Sequence, residues 1–149
     1  MSTGDAMFHR ILYPTDFSDV AQAAVGYIEE LKCTGASEVI ILHVIDSRTM
    51  DLLVYNPMVA LEFEKNLRED AEFRINAVRT RLEEAGYRVT TRIDVGIPTS
   101  LILRAEHEEQ ASVIVLGSHG KSNLREMLLG SVSEGVIRSA AGPVLVVKR

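Results

Sequence analysis

The segment Val113–Gly120, VIVLGSHG, is followed by nine residues and then by Gly130-Ser131. Its first four residues form an apolar run typical of a strand that is buried on both faces. The segment Ser131-Val132-Ser133-Glu134 matches a capping box, in which Ser131 starts a helix and Glu134 reaches back to it. This part of the chain therefore predicts a strand, a glycine turn, a nine-residue connecting segment and the start of a new helix.

The three glycines of this segment, Gly117, Gly120 and Gly130, predict a phosphate site. Glycine has no Cβ atom, so a ligand can lie against the backbone. A helix start adds unpaired N–H groups and the positive end of the helix dipole, which both favour a phosphate. A tight turn would explain any single glycine, but three glycines and two serines between a strand and a helix make nucleotide-phosphate binding the leading hypothesis.

Two well-known phosphate motifs are absent from the sequence. A Walker A loop would need a glycine where Val115 stands, ahead of Gly120-Lys121-Ser122, and no G-x-G-x-x-G occurs. No G-x-S-x-G elbow surrounds Ser118, so a serine hydrolase is not indicated. Lys121 and Arg125 could screen phosphate charge or could form a solvated face, and the sequence leaves both open.

Composition predicts a single soluble domain, residues 1–149. Apolar residues make up 46% and charged residues 25% of the chain, which are ordinary globular values. The net charge of -5 argues against general binding to nucleic acid or to anionic membranes. The lone Cys33 forms no internal disulfide, which fits a reducing compartment. No apolar run approaches the roughly 18 residues of a membrane span, so we expect a cytoplasmic protein.

Strand and helix patterns alternate along the chain. Strands are predicted at residues 8–13, 39–45, 89–95, 113–116 and 144–147. Helices are predicted from the cap Ser18 to near Gly35, from Pro57 to Gly86, from Pro98 to about Glu109, and after Gly130 to about Ala140. Residues 47–56 are predicted as a longer loop. The alternation predicts an α/β fold, a doubly wound parallel five-stranded sheet with helices on both faces.

The loops predict the order of the strands. Ligands of such folds bind beyond the carboxyl ends of the strands, where the strand order reverses. The loops after the first and fourth strands are richest in glycine and polar residues, so these strands are placed side by side in the order 3-2-1-4-5. The last strand, Val144–Val147, then forms an edge that is apolar on both faces. Such an edge needs a cover, and a second copy of the chain is the simplest one, which predicts a homodimer.

Several segments resemble the universal stress protein family. They are Gly-x2-Gly-x9-Gly-Ser at residues 117–131, Pro14-Thr15-Asp16-Phe17-Ser18, Leu42-His43-Val44, Val95-Gly96-Ile97-Pro98 and the terminal segment 142–147. The resemblance covers essentially the whole chain, and its glycines are those of the branch that binds ATP. It implies a Rossmann-like domain that binds ATP, acts in stress response or regulation, and forms a homodimer. The segment 46–57 varies in such proteins and receives no role.

The resemblance also implies a role for each residue of the nucleotide site. Asp16 corresponds to the acidic residue that contacts the nucleoside, over a floor shaped by Pro14 and Thr15. Val44 corresponds to the residue whose backbone meets the adenine edge. The ribose and α-phosphate are assigned to Gly117, His119 and Gly120, with Ser118 between them. The outer phosphates are assigned to Gly130, Ser131, Val132 and Ser133.

The chemistry remains open at this point. Asp16 could instead be an acid of the first helical turn, and His43 a satisfied strand-end histidine. Asp16, His43 and His119 lack the short spacing of metal ligands, so a divalent ion, Mg²⁺ or Mn²⁺, is expected to arrive with the triphosphate. No residue suggests a general base or a γ-phosphate stabiliser, which favours a binding module with no catalytic residues. The alternatives are a slow ATPase or phosphotransferase, and a sensor of another adenine nucleotide such as AMP or a cyclic form.

Overall fold

A computed structural model describes residues 6–120 and 129–148. Within these ranges the strands form one parallel sheet in the order β3-β2-β1-β4-β5. The strands are β1 (Arg10–Pro14), β2 (Glu38–Asp46), β3 (Arg88–Gly96), β4 (Val113–Gly117) and β5 (Val144–Val147). The predicted doubly wound fold and its strand order are confirmed.

The first three helices begin where the sequence signals predict, and the start of the fourth differs by one residue. They are α1 (Asp19–Leu31), α2 (Pro57–Glu84), α3 (Pro98–Glu108) and α4 (Ser131–Ser139), with 3-10 helices at Lys32–Thr34 and Ser47–Leu53. The Ser18 side chain caps α1 by accepting the N–H of Ala21, and Pro57 and Pro98 occupy the first turns of α2 and α3. A proline fits there because the N–H groups of the first turn have no acceptor inside the helix, so a residue without an N–H loses no hydrogen bond.

Two apolar cores lie on opposite faces of the sheet because successive strand residues point to opposite sides. In β1, Ile11 and Tyr13 pack in the core that contains residues of α1 and α2. Leu12, between them, packs in the other core with Ile102 of α3 and Val136 of α4. This two-sided burial explains why the central strands are apolar almost throughout.

Three local expectations were wrong. β1 begins at Arg10 rather than at residue 8, because the residues before it form a turn in which the His9 amide donates to the Ala6 carbonyl. The segment expected as a loop at 47–56 contains the 3-10 helix Ser47–Leu53, which Asp46 caps by accepting the N–H of Arg48. Side chains that cap within the first turn make such short helices possible.

The third correction concerns the capping box. The N-cap of α4 is Gly130 rather than Ser131, and within the described residues no side chain caps this helix. Ser131 is already helical, and Glu134 forms an ion pair with Arg138 four residues on, at 2.7 Å, instead of reaching back. The helix start is therefore shifted by one residue, and its first N–H groups are left without a side-chain acceptor from the cap.

The edge strand β5 is packed on both faces by the chain itself. Val144 and Val146 contact one core and Leu145 and Val147 the other. The apolar pattern of β5 therefore does not by itself require a partner. Pro143 and Val147 turn their carbonyls towards β4, where they accept from Ile114 and Ser118. By alternation along a strand, the N–H groups of Val144 and Val146 face the open edge.

Candidate functional site

A cavity of about 430 Å³ opens at the carboxyl ends of β1, β2 and β4, where the strand order reverses. This is the position where ligands bind in open α/β sheets, and its volume suits a small molecule. The cavity lining includes every residue that the sequence predicts for the site except Ser118, namely Pro14, Thr15, Asp16, Val44, Gly117, His119, Gly120, Gly130, Ser131, Val132 and Ser133.

Sequence reasoning missed part of the lining. The missed residues lie on the upper part of β2, after β2, at the end of β4 and on three helices, and they are Ala21, Leu42, His43, Ile45, Asp46, Thr49, Phe63, Leu67, Pro98, Ile102 and Leu116. Phe63 and Leu67 reach the cavity because α2 is longer than the strand β2. The 28 residues of α2 span about 42 Å, whereas the nine residues of β2 span about 30 Å. The first turns of α2 therefore extend beyond the sheet and form one wall of the cavity.

The turn after β1 fixes the orientation of Asp16. The Ser18 amide donates to Oδ1 of Asp16 at 3.0 Å, and the Phe17 amide donates to Oγ1 of Thr15 at 3.0 Å. The other carboxylate oxygen, Oδ2, lies towards Gly120, where a Cβ atom would stand 2.6 Å from it. Gly120 is therefore needed to leave room for this carboxylate, and Asp16 faces the glycine loop.

The other two glycines allow close packing within the protein. A Cβ atom at Gly117 would lie 2.8 Å from Cγ1 of Val20, so the missing side chain lets α1 approach β4. A Cβ atom at Gly130 would lie 3.3 Å from the backbone of both Ser118 and His119. Packing within the protein therefore already requires glycine at these two positions, and their role towards a ligand stays a prediction.

Ser118 lies beneath the cavity with 1% of its surface exposed. Its amide donates to the Val147 carbonyl and its own carbonyl accepts the Gly130 amide, both at 2.7 Å. Its hydroxyl is 2.8 Å from Nδ1 of His119. Ser118 therefore joins β5, the glycine loop and the start of α4, and supports the cavity rather than lining it.

The first turn of α4 presents backbone donors to the cavity. The first intrahelical bond runs from the Glu134 amide to the Gly130 carbonyl, so the amides of Ser131, Val132 and Ser133 have no acceptor inside the helix. The Ser133 hydroxyl is not available to a ligand, because it donates to the Gly117 carbonyl at 2.7 Å. Among Ser131, Val132 and Ser133, only Ser131 is exposed.

The backbone of Val44 faces the same cavity. The Thr15 amide donates to the Leu42 carbonyl at 2.8 Å, so the peptide groups of Leu42 point towards β1. The pairing of β1 with β2 ends at Pro14 and Leu42. Val44 is two residues further on and its peptide groups point to the same side, beyond the end of β1.

The charged groups of the cavity wall are mainly acidic in the described part of the chain. Arg48 hydrogen-bonds both oxygens of Asp46 and lowers the pKa of that carboxyl. Burial raises the pKa of Tyr13, under the cavity floor, to about 12, and its hydroxyl donates to the Ala21 carbonyl.

Within residues 6–120 and 129–148, no three His, Cys, Asp or Glu side chains are grouped to hold a metal ion. Lys121 and Arg125 lie outside the described residues.

Comparison with known proteins identifies the family. The model of the universal stress protein family matches residues 7–148. The chain belongs to this family.

Similarity to individual universal stress proteins extends over nearly the whole chain. Universal stress protein MJ0577 of Methanocaldococcus jannaschii is 40% identical over 156 residues, which cover 96% of each chain. The solved structure of MJ0577 superposes with a TM-score of 0.89 and 43% identity, covering 96% of this chain and 97% of that chain. The fold and the family assignment therefore agree.

Two more distant universal stress proteins were solved with ligands. One, in complex with cAMP, is 24% identical with a TM-score of 0.62 and covers 95% of this chain and 97% of its own. Another, from Archaeoglobus fulgidus in complex with dAMP, is 23% identical with a TM-score of 0.62 and covers 95% and 99%. At these identities the likeness is one of fold.

None of the described helices of this universal stress protein has the length and apolar character needed to cross a membrane.

Proposed function

We propose that this universal stress protein is a regulatory, stress-response module of the cytoplasm that binds ATP with little or no hydrolysis. The observation that carries the proposal is the cavity at the strand reversal, which is lined by Val44, by Asp16 and by the first turn of α4. These three elements offer partners for a base, a sugar and a phosphate chain.

The base end is supported by Val44. Its N–H and C=O point beyond the end of β1 (see above), and a peptide offers one donor and one acceptor side by side. The Watson–Crick edge of adenine presents the complementary acceptor and donor. Apolar side chains such as Leu67 and Ile102 line the same cavity and suit the flat faces of a base.

The sugar end is supported by Asp16. An ionised carboxylate repels phosphate because both are negatively charged, and it suits the hydroxyls of a ribose because it only accepts hydrogen bonds. Oδ1 already accepts the Ser18 amide, and Oδ2 lies on the side of Gly120, which also lines the cavity. We therefore assign Asp16 to the ribose.

The phosphate end is supported by the N-terminus of α4. Three first-turn amides and the helix dipole are suited to an anion. Asp16 and Asp46 are the carboxylates of the described lining, and Asp46 is held by Arg48. The protein thus offers little to a free metal ion, and Mg²⁺ or Mn²⁺ would arrive on the phosphate oxygens.

Calorimetric titration of the purified protein with ATP, AMP and cAMP tests the proposal. We expect ATP to bind most tightly. AMP and cAMP form the second candidate class, which the family members solved with dAMP and cAMP favour. Denaturing the protein as purified and identifying the released nucleotide gives an independent answer. If none of the three nucleotides binds at millimolar concentration, the proposal is wrong.

Asp16→Asn is expected to weaken ATP binding by about 10-fold or more, because hydrogen bonds to a charged group contribute roughly 1.5–3 kcal/mol. The amide keeps an oxygen for the Ser18 N–H, so the turn is preserved. Removing a negative charge near phosphates would by itself strengthen binding. A loss in calorimetry therefore has to come from the sugar contact, and unchanged or tighter binding would contradict the assignment.

Turnover distinguishes the binding module from the enzyme alternative. With Mg²⁺ and saturating ATP we expect phosphate release far below the enzyme median of about 10 per second, because we identify no general base. His119→Ala is the informative variant, since His119 is the histidine of the glycine loop and lines the cavity. Release at ordinary enzyme rates that disappears in His119→Ala would establish the enzyme instead.

We also propose that two copies associate through β5. The support is the outer edge of β5, which pairs with no further strand among the described residues and whose backbone groups invite pairing, together with the family resemblance. An isologous contact would set β5 antiparallel to its symmetry mate.

A further inference from the structure

The residue that follows Asp16 has an uncommon backbone conformation. Phe17 has a φ of 63°, in the left-handed region. Bulky side chains rarely adopt this region, and they keep it only where the surrounding structure holds them. Phe17 is nevertheless 9% exposed and belongs to the core beside α1 and α2. Something must therefore hold the turn around Asp16 in place.

His43 of β2 holds this turn on both sides of Asp16. Its Nδ1 lies 2.8 Å from the Thr15 carbonyl, and because a carbonyl only accepts, Nδ1 carries the proton. Its ring stacks on Phe17, with 4.6 Å between the ring centroids and 29° between the planes. One imidazole thus contacts the residue before Asp16 and the residue after it.

Further contacts complete the support. The Thr15 hydroxyl oxygen accepts the Phe17 amide, and the guanidinium of Arg74 in α2 lies 5.6 Å from the centre of the Phe17 ring. The Asp16 carboxylate is in turn oriented by the Ser18 amide. A change at His43 would release the peptide at Thr15 and the ring at Phe17 together, and the carboxylate between them would lose its fixed direction.

We infer that His43 is the positioning residue of the nucleoside end, and that it sets the preference for ribonucleotides over deoxyribonucleotides by aiming Asp16 at the ribose hydroxyls. This inference rests on the proposed function, and it gives a role in binding to a histidine at the end of a strand. The phosphate contacts on α4 are on a separate element and do not depend on it.

The test compares ATP with 2′,3′-dideoxy-ATP, which lacks both ribose hydroxyls. We expect the wild type to prefer ATP by roughly 10-fold or more, as for a hydrogen bond to a charged group. His43→Ala should reduce this preference to within about threefold, and His43→Asn, whose amide can still donate to Thr15, should restore part of it. Inorganic triphosphate serves as the probe of the phosphate end, and its affinity should stay within about twofold in all variants.

A double-mutant cycle separates positioning from a general structural role. In the Asp16→Asn background, His43→Ala should cause no further loss of preference, because the group that it positions is already changed. If His43→Ala does not fold, His43→Phe keeps a ring on Phe17 and removes the Nδ1 donor, and it should also lose preference.

The outcomes separate the two proposals. Equal weakening of ATP and dideoxy-ATP in folded His43 variants, or an unchanged preference for ATP, would overturn the role of His43 and leave ATP binding intact. A wild type that binds ATP but does not prefer it over dideoxy-ATP would also overturn the role of His43. A wild type that binds neither nucleotide would overturn the proposed function itself, and with it the inference.

Discussion

Ser131→Asp is expected to weaken ATP binding by about 100-fold, or roughly 2.7 kcal/mol. Ser131 is the first residue of α4, and its exposed side chain lines the cavity. A carboxylate there would stand against the phosphates, and two unit charges about 4 Å apart repel by about 4 kcal/mol at an effective dielectric constant near 20. Part of that is lost to solvent and to side-chain motion.

The same substitution should leave the fold intact or make it slightly more stable. An acid in the first turn interacts favourably with the helix dipole by about 0.3–1 kcal/mol. The unfolding temperature should therefore stay the same or rise, whereas the ATP affinity measured by calorimetric titration should fall.

Ser131→Asn is the matched control because it has nearly the shape of aspartate and no charge. Its ATP affinity should stay within about threefold of the wild type. Equal losses in both variants would indicate a steric effect rather than repulsion of a phosphate. Wild-type affinity in both would mean that the phosphates lie away from the N-terminus of α4.

Val146→Pro is expected to shift the protein from dimer to monomer, with the dimer dissociation constant raised by about 100-fold or more. The Val146 N–H faces the open edge of β5, since Pro143 and Val147 turn their carbonyls to β4. Proline removes this donor without breaking a bond to β4, as edge strands tolerate. An isologous contact contains this N–H from each of the two copies, so two hydrogen bonds are lost. Each acceptor that is left unsatisfied costs roughly 1–3 kcal/mol.

Sedimentation velocity at micromolar concentration measures this effect, and Val146→Ala provides the control. The alanine variant loses the same contacts with the core near α3 and α4 but keeps the N–H, so it should remain a dimer. A stable dimer in Val146→Pro would place the interface elsewhere on the molecule. A wild type that sediments as a monomer would refute association through β5.

The strand order could be predicted from the sequence because two independent signals agree. The glycine and polar residues after β1 and β4 indicate the reversal point. In β3, Val89, Ile93 and Val95 alternate with polar residues such as Arg92 and Asp94, a pattern typical of a strand with one solvated face, which indicates an edge. The capping box failed for a physical reason. Gly130 and Ser131 can each stand at a helix start, and the spacing of Ser131 and Glu134 cannot reveal that Glu134 has a competing partner in Arg138.

The site was predictable where it is local in the chain and unpredictable where it depends on packing. Asp16 and the glycine loop follow strand ends directly, so their positions derive from the topology alone. Phe63 and Leu67 reach the cavity because α2 is longer than the strand beside it. His43 gave one signal, a polar residue within an apolar strand, but its contact with Thr15 spans 28 residues of sequence. No spacing rule predicts such a contact.

Ser118 links the carbonyl of Val147 in β5 to the amide of Gly130 at the start of α4. The proposed subunit edge and the proposed phosphate loop therefore share one residue. Binding equilibria that share a conformation are reciprocal: the factor by which ATP strengthens association is the factor by which association strengthens ATP binding. If ATP strengthens this association, the apparent ATP affinity rises with the amount of this protein in the cell, and its abundance then helps to set how it responds to the nucleotide.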